Sequence, residues 1–332
     1  WSPDGLRLAT CDHDSLVKIW DAKTGKELLQ MKGQIKLVWS LAWSPDGRRL
    51  ASVGSYYSRN IQVWDAETGR QIKEIPDAHG HGIRAVAWSP DGRELATGSM
   101  DQTVRVWDTQ TGERRLTIDA HNSRVSSVSW SPDGTQLVTA GGDGSVLTWS
   151  ARDGLLLKGL RGHLGPVGCV RGRADGKRLA SASDDHTVKI WDPHENQAST
   201  TVSRRGGFSW SPDGRLLAPV KDKEGDEQGS VLQIVDVESS TSQLLPFPPL
   251  EGRTQPWRIA WSPDGSRIAC TVQAPDAYEC VTKVFDLDRA TLAEIYSLEV
   301  LRQSDAQGCG ASPGVPTHVT WQQRCLTVQM DT

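Results

Sequence analysis

Residues 88–92 read Trp-Ser-Pro-Asp-Gly, and this pentapeptide occurs six times in the 332-residue chain, with its Trp at positions 1, 43, 88, 130, 210 and 261. A degenerate copy, Gly-Arg-Ala-Asp-Gly, fills residues 172–176. Successive copies begin 42, 45, 42, 42, 38 and 51 residues apart. A period of this length indicates that one small structural unit is repeated and stacked along the chain.

A second motif, an apolar run that ends in Trp and usually Asp, follows each of the first five copies. Its Trp stands at positions 20, 64, 107, 149 and 191, while Val235 and Phe285 take the same place further on. The two motifs account for eleven of the 14 Trp in a chain with only three Phe and four Tyr. The excess of Trp therefore reflects two repeated positions, and three Trp stand outside them: Trp39, Trp257 and Trp321.

The local pattern predicts antiparallel strands joined by tight turns. Residues 125–130 alternate in the period-2 manner of a strand. Ser-Pro-Asp-Gly suits a type I turn, and its Gly can take the left-handed conformation that closes a hairpin. Two further strands follow in each unit, separated by turns that contain Asp and Thr-Gly. Each unit is thus predicted to be a four-stranded meander that must stack on its neighbours to be buried.

These motifs resemble the WD-repeat β-propeller family, very specifically over residues 1–192 and more loosely over 193–332. The resemblance implies an all-β propeller of four-stranded antiparallel blades. It also implies, in three repeats, a complete structural tetrad of His, Ser or Thr, Asp and Trp. These tetrads are His79, Thr97, Asp101 and Trp107; His121, Thr139, Asp143 and Trp149; and His163, Ser181, Asp185 and Trp191. The first repeat has Thr10, Asp14 and Trp20, and in the second Gln34 and Ser58 replace His and Asp.

We predict a single propeller domain over residues 1–332. Its repeat units run roughly over 1–32, 33–76, 77–119, 120–158, 159–204, 205–250 and 251–300, with closing strands in 316–330. The strand count favours seven blades, with residues 317–321 completing the first one; eight blades are the alternative if the chain continues. Because residue 1 lies inside a motif, we expect the sequence to be a piece of a longer protein.

Composition excludes several classes of function. No segment approaches the ~20 apolar residues of a membrane helix, so we expect no membrane insertion. The chain carries 37 Lys and Arg against 41 Asp and Glu, a net charge of −4, which does not favour nucleic acid. Six scattered Cys without a C-x-x-C pair suggest free thiols in a reducing, cytoplasmic setting, although pairing of Cys270 with Cys280 stays open.

We also weighed catalysis and metal binding against structural roles. The set of Ser or Thr, His and Asp recurs in three repeats, whereas an enzyme needs one such set, so we interpret these residues as structural. The cluster Asp77-Ala78-His79-Gly80-His81 contains only one His beyond the repeat pattern, and a metal needs three or four converging ligands. The acidic segment 222–227 lacks the spacing of a calcium loop. We therefore expect no catalytic residues, no metal and no cofactor.

Partner binding is the remaining function. Propellers of the resembled family commonly bind protein or peptide partners on the face where each first strand begins. Trp, Tyr and Arg often anchor such interfaces. Carried over to this chain, the resemblance predicts a partner-binding set consisting of His13, Trp39, Tyr57, Arg84, Met100 and Trp257.

Three functional hypotheses follow. The first is a non-catalytic, monomeric scaffold that binds proteins through the rim of the propeller. The second is the C-terminal sensing or regulatory region of a larger bacterial signalling protein, such as a Ser/Thr protein kinase or a nucleotide-dependent signalling ATPase. It rests on the near-identical pentapeptides, which look like those of bacterial WD-repeat arrays. The third, and least supported, is the propeller domain of a hydrolase.

Overall fold

The protein folds into seven antiparallel β-sheets that are arranged as the blades of a propeller, which confirms the predicted fold class. The computed structural model describes residues 1–11, 16–32, 38–54, 59–193, 198–203, 207–222, 230–239, 241–246, 256–273, 280–287 and 292–299. Among these residues, none forms a helix with the length and hydropathy that a membrane span requires. The predicted closing strands 316–330 lie outside the described residues.

Within the described residues, the first sheet has three strands and each of the other six has four, in chain order across the sheet. The first sheet contains β1 Arg7–Cys11, β2 Leu16–Asp21 and β3 Glu27–Lys32. The next three contain β4 Val38–Trp43, β5 Arg49–Gly54, β6 Ile61–Asp65 and β7 Gln71–Ile75; β8 Ile83–Trp88, β9 Glu94–Ser99, β10 Thr103–Asp108 and β11 Arg114–Asp119; and β12 Val125–Trp130, β13 Gln136–Gly141, β14 Val146–Ser150 and β15 Leu156–Leu160. The last three contain β16 Val167–Gly172, β17 Leu179–Ser183, β18 Thr187–Trp191 and β19 Ala198–Ser203; β20 Phe208–Trp210, β21 Leu216–Asp222, β22 Ser230–Asp236 and β23 Thr241–Pro246; and β24 Pro256–Trp261, β25 Arg267–Gln273, β26 Cys280–Leu287 and β27 Leu292–Glu299.

In the second, third, fourth, sixth and seventh sheets, the pentapeptide forms the turn between the first two strands. In the third sheet, Gly92 N–H donates to Ser89 O at 2.8 Å, and the Ser89 hydroxyl donates to Asp91 Oδ1 at 2.6 Å. Gly92 has a φ of +68°, in the left-handed region that glycine adopts without a Cβ penalty. The turn predicted from sequence is therefore confirmed. The β15 strand runs to Leu160, two residues past the unit boundary expected at 158.

The sheets are held together by seven hydrophobic clusters, one at each interface around the ring. The first strands of consecutive sheets contact one another, as β4, β8, β12 and β16 do, and so form the inner wall of the ring. The cluster that joins the seventh sheet to the first contains Trp1, Leu8 and Ala260. Trp1 Nε1 also donates to Ala260 O at 3.3 Å, so side-chain contacts close the ring.

The pentapeptide Trp is the main side chain in these interfaces. Trp88 is 1% exposed, and its Nε1 donates to Ala42 O in the preceding sheet at 3.0 Å. The guanidinium of Arg49, from that preceding sheet, lies 4.4 Å from the Trp88 ring centroid. The same arrangement places Arg7 over Trp43 at 4.8 Å. The first repeated Trp therefore joins sheets to each other, whereas sequence analysis had assigned it only to a strand end.

The pentapeptide turns of neighbouring sheets also contact one another around the ring. A Cβ placed on Gly92 would lie 3.6 Å from Pro45 of the preceding sheet. Equivalent Gly–Pro contacts occur at six of the seven interfaces. The exception is Gly214, which faces the Arg173 side chain instead, because the degenerate pentapeptide has Ala174 where the others have Pro. A cavity of about 680 Å³, lined largely by charged side chains including Arg173 and Glu238, lies at this break.

We expect Ala174→Pro to stabilise the protein by about 0.4–1 kcal/mol, because Pro restricts the unfolded chain where the turn already suits it. The turn has the normal geometry, since Gly176 N–H donates to Arg173 O at 2.8 Å as in the other copies. Urea unfolding of the two proteins measures the difference. Pro132→Ala, in the intact neighbouring turn, is the matched control and should change stability in the opposite direction. A lower stability for Ala174→Pro would contradict the turn assignment.

Candidate functional site

The four residues of the predicted tetrad in the third sheet form one hydrogen-bonded chain. His79 Nε2 lies 2.8 Å from Thr97 Oγ1, and its Nδ1 lies 3.0 Å from Asp101 Oδ2. Trp107 Nε1 donates to the same Thr97 hydroxyl at 2.9 Å. The chain connects the loop before β8 with β9, with the turn after β9, and with β10. It therefore fastens the strands of one sheet to each other.

The fourth and fifth sheets repeat this arrangement. The corresponding distances are 2.8 Å for His121 Nε2–Thr139 Oγ1, 3.1 Å for His121 Nδ1–Asp143 Oδ1, and 2.9 Å for Trp149 Nε1–Thr139 Oγ1. In the fifth sheet they are 2.8 Å for His163 Nε2–Ser181 Oγ, 2.8 Å for His163 Nδ1–Asp185 Oδ2, and 2.7 Å for Trp191 Nε1–Ser181 Oγ. The structure thus brings together all twelve predicted residues as three sets of four.

The other sheets keep only part of this chain. Trp20 Nε1 donates to Thr10 Oγ1 at 2.8 Å, and Trp64 Nε1 donates to Ser52 Oγ at 2.9 Å. Residues 14, 34 and 58, where the remaining members would stand, lie outside the described residues. In the sixth and seventh sheets the buried Val235 and Phe285 occupy the Trp position and carry no indole N–H.

The surroundings of these hydroxyl groups argue for a structural role. Thr97, Thr139 and Ser181 are all 0% exposed, so no substrate reaches the oxygen that a serine-type nucleophile would use. Each hydroxyl also has its hydrogen-bond partners already, because it accepts from a Trp N–H and bonds to a His ring. A fully paired polar network of this kind rigidifies the structure around it.

Burial also fixes the protonation of the tetrad. It lowers the pKa of His79 and of His121 despite the neighbouring carboxylate, so both rings are neutral at pH 7. Burial acts to raise the pKa of Asp101, but hydrogen bonds from His79, from Thr103 and from the Gly80 N–H outweigh it and hold that pKa well below its ordinary value. The ring and the carboxylate are therefore joined by a hydrogen bond to an anion and not by a pair of full charges.

The residues of the predicted partner-binding set that begin the first strands share a backbone irregularity. In β4, Val38 pairs with Gly54 and Ser40 with Val53, so Trp39 is the extra residue of a β-bulge. The same irregularity occurs at the second residue of β8, β12, β16 and β24, which are Arg84, Ser126, Gly168 and Trp257. A bulge bends the strand and redirects its side chain, and bulges are common beside functional sites.

Two members of the set are in direct contact. The Arg84 guanidinium carbon lies 4.8 Å from the Trp39 ring centroid, a cation–π contact between the second and third sheets. Both side chains are half-buried, as is Met100, whose N–H donates to Gly82 O at 3.0 Å beside the start of β8. His13 and Tyr57 lie outside the described residues. Trp257 is placed in β24, but its side chain also lies outside them.

The cluster at residues 77–81 has separate structural roles. His79 belongs to the tetrad, His81 Nδ1 accepts from Gly82 N–H at 2.8 Å, and Asp77 pairs with Arg59. In the part of the chain that the structure describes, no three His, Cys, Asp or Glu residues converge as metal ligands.

Comparison with known proteins identifies the family. The model of the WD domain, G-beta repeat, matches residues 1–21, 25–65, 69–108, 112–150 and 154–192, which is more than half of the chain. The chain therefore belongs to the WD-repeat family. The matched repeats end where the sequence pattern becomes looser.

Individual relatives are similar over short stretches. Coronin-7 of Mus musculus is 50% identical over 46 residues, which are 14% of this chain and 5% of coronin-7. The lissencephaly-1 homolog of Dictyostelium discoideum is 36% identical over 103 residues, 31% of this chain and 24% of that protein. Protein HIR1 of Cryptococcus neoformans is 31% identical over 126 residues, 33% of this chain and 14% of HIR1. The chain covers no more than a quarter of any of these three relatives, so the similarity is one of repeats.

We expect Trp107→Ala to lower the free energy of unfolding by about 3–5 kcal/mol, as other deletions of buried aromatic side chains do. The change also leaves the Thr97 hydroxyl without its indole donor. Trp39→Ala is the matched control and should lower the free energy of unfolding far less, because that side chain is half-buried near the end of a strand. Urea melts of both variants measure the losses. Equal losses would show that Trp39 is a core residue.

Acidification should weaken the fold through the tetrad histidines. The native pKa of His79 and of His121 lies below the ordinary 6.5, so the unfolded chain binds protons first as the pH falls through 6.5. Stability is then lost toward low pH, by at most about 1.4 kcal/mol per pH unit for each ring. The low pKa of Asp101 adds a loss in the same direction near pH 4 and below.

Urea melts at pH 7.5 and pH 5.5 measure this effect. The drop should be smaller in the His79→Gln variant, which has one buried ring fewer to protonate. A rise in stability on acidification would show instead that the histidines are charged partners of the aspartates.

Proposed function

We propose that this WD-repeat propeller is a non-catalytic scaffold that binds protein or peptide partners on the face where the first strands begin. The contact between Arg84 and Trp39, on bulges of adjacent sheets, carries the proposal. Trp39 is one of the Trp that the repeat does not require. Trp and Arg are enriched among the residues that dominate binding energy at protein interfaces.

The geometry of the pair supports an interface more than a core role. The Arg84 guanidinium lies over the rigid apolar surface of the indole, and both side chains are partly exposed. Met100 adds a flexible apolar side chain in the neighbouring turn, of the kind that adapts to different partners. Together Trp39, Arg84 and Met100 form what we call the upper patch.

The same proposal includes a cytoplasmic, monomeric protein without cofactor. Cys11, Cys169 and Cys270 form no disulfide in the described part of the chain, which suits a reducing compartment. The near balance of acidic and basic residues gives no general attraction for nucleic acid. Sedimentation of the purified chain measures the oligomeric state.

A second candidate is a sensing or regulatory region of a larger bacterial signalling protein, attached to a Ser/Thr kinase or a signalling ATPase. The six identical pentapeptides favour it, because they look like those of bacterial WD-repeat arrays. The full open reading frame decides between the candidates: a kinase or ATPase motif elsewhere in the frame supports the second one. A hydrolase receives no support from the buried tetrad hydroxyls.

We expect the double variant Trp39→Ala/Arg84→Ala to retain fewer partners in affinity purification from the source cells, because both anchors of the upper patch are removed. Quantitative mass spectrometry compares it with the wild type. The matched control is Arg93→Ala/Leu155→Ala, which removes one exposed Arg and one exposed apolar side chain at the other ends of the strands. Equal retention by the wild type and the double variant, with thermal stability unchanged, would contradict the proposal.

A further inference from the structure

We draw no further inference here: the strongest candidate, the charged cavity between the fifth and sixth sheets, carries nothing because Arg173 and Arg178 are already paired with carboxylates that line it, so the described residues favour no class of ligand.

Discussion

Each sheet of this propeller is apolar on both faces, and it can bury both only by lying between two others. At every boundary where the pentapeptide is intact, its Trp side chain packs against the preceding sheet. At Trp88 the ring is buried among apolar side chains, its N–H donates to a carbonyl of the preceding sheet, and the Arg49 guanidinium lies over the ring. One side chain thus supplies apolar area, a hydrogen bond and a cation–π contact. The last boundary uses the same residue type, since Trp1 joins the first sheet to the seventh.

The polar groups of the interior fall into two kinds that deserve different interpretations. The polar groups of the tetrads are fully paired and recur in three sheets, where they hold the strands of each sheet together. Other buried polar atoms, among them Trp43 Nε1, Arg105 Nε and Arg124 Nε, make no hydrogen bond within the described part of the chain.

Much of the fold was predictable from the sequence because it follows from a period. The spacing of the pentapeptides predicted the strands and turns, and the family resemblance added the tetrads and the propeller. The bulges at Trp39, Arg84 and Ser126 were not predictable, because the alternating pattern of residues looks the same whether or not one residue is skipped in the pairing. The contact of Trp88 with the preceding sheet was not predictable either, because the sequence does not show which sheet faces pack against each other around the ring.

The break in the ring of proline contacts has a consequence for how the fifth and sixth sheets are held together. At six boundaries, the pentapeptide Pro of one sheet contacts the pentapeptide Gly of the next sheet. The Pro belongs to the preceding sheet at each of these boundaries. At the seventh, between the fifth and sixth sheets, a flexible arginine and a charged hollow replace it. The boundary between the fifth and sixth sheets therefore relies on its apolar cluster and on the hydrogen bond from Trp210 Nε1 to Arg171 O, without the turn-to-turn contact that the other six boundaries share.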